Sequence, residues 1–312
     1  MKRHPSMVDL AEDYLATRRK LGFALKIEGQ QLLAFAGFAD RTGHRGPVTT
    51  ELALRWAKLP EDASPHYWSR RFGIVRRFAK YRFLFDPTTD VPPDGLLGPA
   101  CRRPTPYIYS AQEIATLLQA CLELGPAGGL TPRTFVTLFG LLVSTGLRIS
   151  EALHLTRQDV DLETGMLYIT ETKFSKSRLV PLHASTTREL RAYAEHRDRR
   201  HPVFCTDAFF VTDKGTPLKY KKTSVVFAKL RGGLDWERPH TPRIHDLRHT
   251  FAVNRLLRWY QEGADIDQKI AGLSTYLGHA TVTATYWYLT AVPDLLTAAS
   301  ARFERKFGRE VQ

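Results

Sequence analysis

Apolar residues recur every three or four positions over roughly residues 6 to 21, 27 to 42, 50 to 58 and 65 to 85, as in Leu10, Tyr14 and Leu21 or Leu32, Phe35 and Phe38. That is the period of amphipathic helices. Ser6 with Asp9, and Thr49 before Glu51, supply helix starts, because a short side-chain oxygen accepts from the unpaired amides of a first turn. The four segments predict a small all-helical domain over residues 1–86. Between Pro87 and Pro106 six prolines fall in twenty residues, a density that no helix or central strand tolerates. Residues 87–106 are therefore expected to link two domains. Beyond them Ser110 and Glu113 form a capping-box signature ahead of a helix through about Leu124, and TPRTFVTLFGLLVSTG is a helix apolar on nearly all sides, hence buried. MLYIT and RLVPL are short β-prone runs around the polar ETKFSKS and predict strands flanking a hairpin turn, with DAFFVTD at 207–213 a further strand. From Tyr220 the pattern is mainly helical again, broken by the Gly- and Pro-containing loop 231–243. The implied fold class is mainly α with a small β-sheet, a helical N-terminal domain preceding an α+β domain over residues 107–312.

Composition adds a partner class. The 312 residues carry 45 Lys+Arg against 32 Asp+Glu, a net charge of +13, the balance of a polyanion binder. Both parts share it, with +7 over residues 1–86 and +6 over the rest. The last helix of the first domain interleaves Arg70, Arg71, Arg76, Arg77, Lys80 and Arg82 with Tyr67, Trp68, Phe72, Phe78, Tyr81 and Phe83. The aromatics are expected in the core, and Arg70, Arg71, Arg76, Arg77 and Lys80 are candidate phosphate contacts. No stretch of about 18 apolar residues suggests a membrane span, and the basic N-terminus lacks the apolar run of a signal peptide. Cys101, Cys121 and Cys205 are far apart and odd in number, so neither a disulfide framework nor a zinc site is indicated. A cytoplasmic protein is expected.

Four separated segments place unusual polar groups beside apolar runs: TGLRISEAL with Arg148, Lys173 in the hairpin, HDLRHTFA with His245 and Arg248, and LGH with His279 followed by Tyr286-Trp287-Tyr288. Each alone is ambiguous. Arg148 follows the helix-ending Gly146 and can either cap carbonyls or point into a cleft. His245 and Arg248, three apart, share a helix face and can address one anion or form surface pairs. Together, two arginines, two histidines, a lysine and a tyrosine form a phosphoryl-transfer set, because guanidinium forks match the charged oxygens of a pentacoordinate phosphorus.

In order and spacing these segments resemble the catalytic domain of the tyrosine recombinase (phage integrase) family, over most of residues 107–290. The TGLR-x-SE arginine matches Arg148, the hairpin lysine ahead of an RLVPL-like strand matches Lys173, the H-x-L-R-H segment supplies His245 and Arg248, and LGH supplies His279. The family's tyrosine lies nine residues further, at Tyr288. The helical domain looks like the family's SAM-like core-binding domain, by pattern and position. The resemblance implies attack of the Tyr288 phenol on a DNA phosphate to give a 3′-phosphotyrosyl link and a 5′-hydroxyl. Arg148 and Arg248 would hold the phosphate oxygens, His245 and His279 would assist by hydrogen bonds or proton transfer, and Lys173 would protonate the leaving oxygen. It further implies double-stranded DNA as partner, a tetramer in the synapse, accessory DNA-bending or partner recombinase proteins, work on the nucleoid, and no cofactor, metal or nucleotide.

Neighbouring residues are assigned smaller roles. His249 lies one turn after His245, but HDLRH lacks the glutamate of the zinc motif H-E-x-x-H and sets Arg248 beside any metal, so His249 is expected to pack or support. Glu151 is expected to brace Arg148 or the helix. Lys176 and Arg178 compete with Lys173, and Tyr286 is the nearby rival nucleophile, expected to pack or hydrogen-bond in the core. After Tyr288 an apolar stripe, Leu295, Ala299, Phe303 and Phe307, is expected to dock on a neighbouring protomer. Integration or excision of a mobile element is the expected use. The rival functions are a type IB topoisomerase and a DNA-binding regulator that does not cleave.

Overall fold

A computed structural model of the chain describes residues 5–99, 105–125, 128–170, 177–203, 205–234, 236, 241–291, 293, 295–297 and 299–301. The chain divides into two compact units, Met1–Pro104 and Thr105–Gln312. The first holds α1 (Met7–Lys20), α2 (Lys26–Arg41), α3 (Thr50–Ala57) and α4 (Pro65–Phe83). Ser6 and Asp9 close the expected capping box, and Thr49 accepts from Leu52 N. The Asp40 carboxylate of α2 also accepts from Met7 N and Val8 N, so the start of α1 is pinned by a second helix. Leu15, Phe35, Trp56 and Phe78 are buried at the centre. The proline-rich segment as far as Pro99 is laid along this unit. Asp90 caps Thr50 N, Pro92 O accepts from Arg76 Nε, Gly98 O accepts from Ser69 Oγ, and Leu97 packs on the core. Prolines that cannot donate still offer carbonyls, and α4 supplies the donors.

The second unit begins with α5 (Ala111–Leu122), capped by the Ser110–Glu113 box, and the buried α6 (Leu130–Thr145), followed by α7 (Ile149–His154). β1 (Val160–Asp161), β2 (Met166–Ile169) and β3 (Arg178–Pro181) form an antiparallel sheet in sequence order, with Leu167 opposite Val180 and Ile169 opposite Arg178. The strands foreseen around the hairpin are present. The strand foreseen at 207–213 is not: only the isolated bridges Thr156 to Ala208 and Val211 to Pro217 occur there. Its polar groups are used singly instead. Val211 N donates to the Tyr193 hydroxyl, and the Asp213 carboxylate accepts from Leu130 N and Thr131 N, capping α6 where Gly129 has no side chain to do so. Helices α8 (Ala184–Arg200), α9 (Tyr220–Gly232), α10 (Ile244–Gln261), α11 (Ile266–Leu277) and α12 (Thr283–Ala291) complete the order.

A smaller cluster joins α10, α11 and α12 through Ala252, Val253, Leu256, Leu273, Leu277 and Tyr288. Leu295 is buried in it, so the start of the stripe expected to dock elsewhere packs on its own unit, while Phe303 and Phe307 lie outside the described residues. Two glycines end helices of this unit abruptly. Gly146 ends α6 with φ +64° and Gly278 ends α11 with φ +66°, the left-handed region in which an L side chain is strained. A Cβ on Gly146 would lie 2.5 Å from Phe251 Cδ1, and one on Gly278 would lie 2.6 Å from Arg178 Nη1. Gly146→Ala is therefore expected to lower the unfolding free energy by about 1–3 kcal/mol, measured by urea denaturation. Gly140→Ala, at a mid-helix glycine with nothing within 4 Å of the added carbon, is the control expected to be neutral or stabilising.

Candidate active site

The helix ends capped by Gly146 and Gly278 present carbonyls to a group of arginines. Arg248 on α10 is 2% exposed and donates through Nη1 to Gly146 O and through Nη2 to Leu277 O, both at 2.7 Å. Arg148, at the start of α7, donates through Nη2 to Gly278 O and through Nη1 to Glu151 Oε1, again at 2.7 Å. Each open alternative for Arg148 is realised at once: it caps a helix end, and a quarter of its side chain remains accessible. Arg178 on β3 joins the group, giving Nε to Tyr276 O and a bidentate pair to Glu151 at 3.1 and 2.9 Å. Arg148 and Arg178 thus share one buried carboxylate, with Arg248 held by backbone carbonyls beside them. The remaining compensation comes from carbonyls at two helix C-termini, where the aligned peptide dipoles carry partial negative charge.

The titrating groups respond to this field. Burial alone would raise Glu151, but the bonds and charge of Arg178, followed by Arg148, hold it below the ordinary carboxylate range. Burial and the charge of Arg148 push Arg248 down to about 10. His279 is pushed down to about 3 by desolvation, then by Arg248, Arg148 and Arg178. His245 is pushed down to about 4 by desolvation and then by Arg248, although the residue keeps an exposed face. His249 is pushed down to about 3 by desolvation and then by His245 and the arginines. All three imidazoles are neutral at pH 7.

Tyr288 on α12 is 2% exposed, and Tyr286 is 41% exposed with its hydroxyl 3.5 Å from Asp267. The half-turn between them turns one inward and the other out, so Tyr286 faces solvent and does not occupy the core position expected of it. His279 Nδ1 is 2.7 Å from Thr285 Oγ1, and its ring lies along that of Tyr288 at 6.4 Å between centroids. His249 Nδ1 lies 2.8 Å from the Tyr288 hydroxyl. His245, Arg248, Arg148, His279 and Tyr288 are thereby brought into one region. Lys173 and its rival Lys176 lie between β2 and β3, outside the described residues. Among the described residues no cluster of metal-ligating side chains occurs, and no helix is long and apolar enough to cross a membrane.

Sequence spacing left two features of this site unread. Arg178 entered only as a competitor for the lysine, and no signal in RLVPL announces its pairing with Glu151. His249 was set aside as packing, because its partner lies 39 residues away. The candidate contacts on α4 divide in two. Arg71 is buried, donating to Trp56 O at 2.9 Å with its guanidinium carbon 3.7 Å above the Trp56 ring. Arg76 holds Pro92 O and pairs with Asp94 at 3.6 Å. Arg70, Arg77 and Lys80 are exposed, with Arg70 3.9 Å from Glu28.

The profile described as the phage integrase family matches residues 109–293. The chain is 42% identical over 308 residues to y4rB of Sinorhizobium fredii, named as an integrase/recombinase, covering 95% of this chain and 96% of that one. It is 28% identical to tyrosine recombinase XerC of Chlamydia caviae, covering 74% of this chain and 69% of that one. Among solved structures it is similar to the Tn1549 transposon integrase in complex with transposon right end DNA, with a TM-score of 0.70 and 17% identity over 96% of this chain and 99% of that one. A lambda integrase tetramer bound to a Holliday junction gives a TM-score of 0.59 and 19% identity over 89% and 77% of the two chains.

The neutral histidines set a pH dependence. Their folded values lie at about 3 to 4, below the ordinary 6.5, so between those limits the unfolded chain binds protons that the folded chain refuses. Stability is then expected to fall as the pH drops below about 6.5. Thermal unfolding of the full chain across pH 7 to 4.5 measures this, and His279→Asn is expected to flatten the slope.

Proposed function

The chain belongs to the phage integrase family of tyrosine recombinases, enzymes that break and rejoin DNA, and on that premise we propose that it is a site-specific integrase acting through a 3′-phosphotyrosyl intermediate at Tyr288. The observation that carries this is the group of Arg148, Arg178 and Arg248, of which the first two pair with Glu151 and the third is held by backbone carbonyls, with Tyr288 close enough to act on the charge of Arg248. A region so short of negative charge is a seat for an anion, and a DNA phosphodiester supplies it.

In this reading the Tyr288 oxygen attacks the scissile phosphorus and the 5′-oxygen departs. Arg148 and Arg248 turn their forks to the non-bridging oxygens, exchanging part of their bonding to helix-end carbonyls for bonds to phosphate. His245 and His279, neutral before DNA arrives, donate hydrogen bonds to the same oxygens. Lys173 gives the leaving 5′-oxygen its proton. The phosphodiester energy is kept in the covalent link, so a 5′-hydroxyl from another strand can reverse the step and rejoin the DNA in a new order without spending a nucleotide. Arg70, Arg77 and Lys80 make phosphate contacts from the first unit.

The partner is double-stranded DNA, and the working species is a tetramer in the synapse, with accessory DNA-bending or partner recombinase proteins. Two similar solved proteins support these finer statements: the Tn1549 transposon integrase is bound to transposon DNA, and lambda integrase forms a tetramer on a Holliday junction. Movement of a mobile element, on DNA in the cytoplasm, is the use we assign.

Trapping on a nicked duplex, cut from DNA that the chain protects beside its own gene, tests the nucleophile. Tyr288→Phe is expected to bind as wild type and to form no adduct, whereas Tyr286→Phe still forms one. A phosphotyrosine mapped elsewhere, or an adduct from Tyr288→Phe, would overturn the assignment. Relaxation of plasmids lacking any such site would point to a topoisomerase, and binding without capture to a regulator. On α4, Arg77→Ala and Lys80→Ala are each expected to weaken DNA binding and to lower the slope of log K against log salt by about 1. Arg71→Ala is expected instead to destabilise the first unit, read by denaturation without DNA.

A further inference from the structure

The strongest unassigned feature is the partner of the buried tyrosine. His249 Nδ1 stands 2.8 Å from the Tyr288 hydroxyl, and its Nε2 faces the carboxylate of Asp246 at 4.0 Å. Asp246 is 1% exposed and fixed by Arg243, which gives it its backbone amide, Nε and Nη2. The histidine is held on its other sides by the rings of His245, edge-on at 4.7 Å, and Trp287 at 5.7 Å. The Asp246 carboxylate 4.0 Å from Nε2 favours the tautomer with its proton on Nε2, which leaves the lone pair of Nδ1 facing Tyr288. The tyrosine is then the donor in this bond.

We propose that His249 is a catalytic residue, the base that orients the Tyr288 hydroxyl and takes its proton as the phenol attacks phosphorus. This rests on Tyr288 being the nucleophile. The Tyr288 O–H bond breaks, its proton goes to His249 Nδ1, the Tyr288 oxygen forms a bond to phosphorus, and the bond from phosphorus to the 5′-oxygen breaks, that oxygen taking a proton from Lys173. In rejoining, the proton returns from His249 to the departing tyrosine oxygen. The imidazolium that exists between the two steps sits beside the Asp246 carboxylate. The remaining groups facing His249 are His245, Arg243 and Arg248 from α10, Trp287 from α12, and His279 from the turn before α12. Desolvation first, and then the charge of the arginines, holds the imidazole well below its ordinary value, so it is neutral and free to accept at pH 7.

His279, by contrast, is poorly placed for this transfer. His279 Nδ1 is engaged by Thr285 and its ring lies along that of Tyr288, not end-on to the hydroxyl. Ring contact alone, the ordinary packing role, requires neither the short bond nor the buried aspartate behind it.

The test separates base, orienter and packing. His249→Phe keeps a planar ring and loses the acceptor; His249→Asn keeps an acceptor near the Nδ1 position that cannot be protonated. On the nicked duplex, His249→Phe is expected to lose roughly 100-fold or more in single-turnover cleavage with DNA affinity within about 2-fold of wild type. His249→Asn is expected to fall between the two. Added imidazole is expected to restore cleavage by His249→Ala. Nitrogen NMR of the wild-type full chain, which needs no variant to fold, is expected to find His249 protonated at Nε2. Wild-type cleavage rates in His249→Phe, or a proton on Nδ1 in the wild type, would overturn the inference while leaving Tyr288 as nucleophile. An adduct from Tyr288→Phe would overturn both.

Discussion

The second unit is organised around buried positive charge that its own carboxylates do not balance. Arg148 and Arg178 converge on Glu151, whose side chain is 5% exposed, and Arg248 is buried beside them; a guanidinium taken out of water costs several kcal/mol unless hydrogen bonds replace its hydration. The replacement comes from backbone. Gly146 O, Leu277 O, Gly278 O and Tyr276 O all accept from arginine, and all lie where α6 or α11 runs out of amides to bond its last carbonyls. The two left-handed glycines answer this need, since each lets a helix stop abruptly with its carbonyls turned toward a cation. Gly278 has a second reason to lack a side chain, because Arg178 occupies the space a Cβ would fill.

The histidines complete the same logic. A protonated imidazole among three guanidinium groups would add like charge in a desolvated place, so His245, His249 and His279 stay neutral and act as hydrogen-bonding groups. Carbonyl oxygens carry only partial charge, so the arginines are held without being satisfied. In the proposed mechanism a phosphate competes with those carbonyls for donors already gathered in one place. The first unit treats its cations differently. Arg71 is covered by the Trp56 ring and bonded to its carbonyl, and Arg76 ties down the proline-rich segment, whereas Arg70, Arg77 and Lys80 remain at the surface. Interior arginines there serve packing, and the exposed ones are those proposed for phosphate.

Local signals carried most of the fold. All four helices of the first unit, both capping boxes and the hairpin strands are set by short-range periodicity and by side-chain oxygens at helix starts, which a sequence displays directly. The segment at 207–213 misled because its β-prone residues are buried one by one against Tyr193 and α6, a tertiary use that composition does not distinguish from a strand. The proline-rich segment concealed its order for a related reason: its carbonyls bond to α4 side chains, and prolines advertise only the donors they lack. At the site, spacing identified the groups that family resemblance names, but the long-range bonds of Arg178 and His249 join residues 27 to 98 positions apart. No periodicity encodes such pairs.

Arg178 shows why the phosphate clamp and the hairpin act as one device. Its guanidinium fixes the first residue of β3 to Glu151, and Glu151 fixes Arg148. Lys173 is five residues before Arg178, and an extended chain of that length spans at most roughly 17 Å. The lysine assigned to the leaving oxygen is therefore tethered, through one strand end and one carboxylate, to the arginine assigned to the non-bridging oxygens. Loss of Glu151 would free two guanidinium groups at once and release the base of the hairpin with them. In the proposed mechanism one buried acid thus links the arginine given to the charge on phosphorus with the strand that leads back to the lysine given to the departing oxygen.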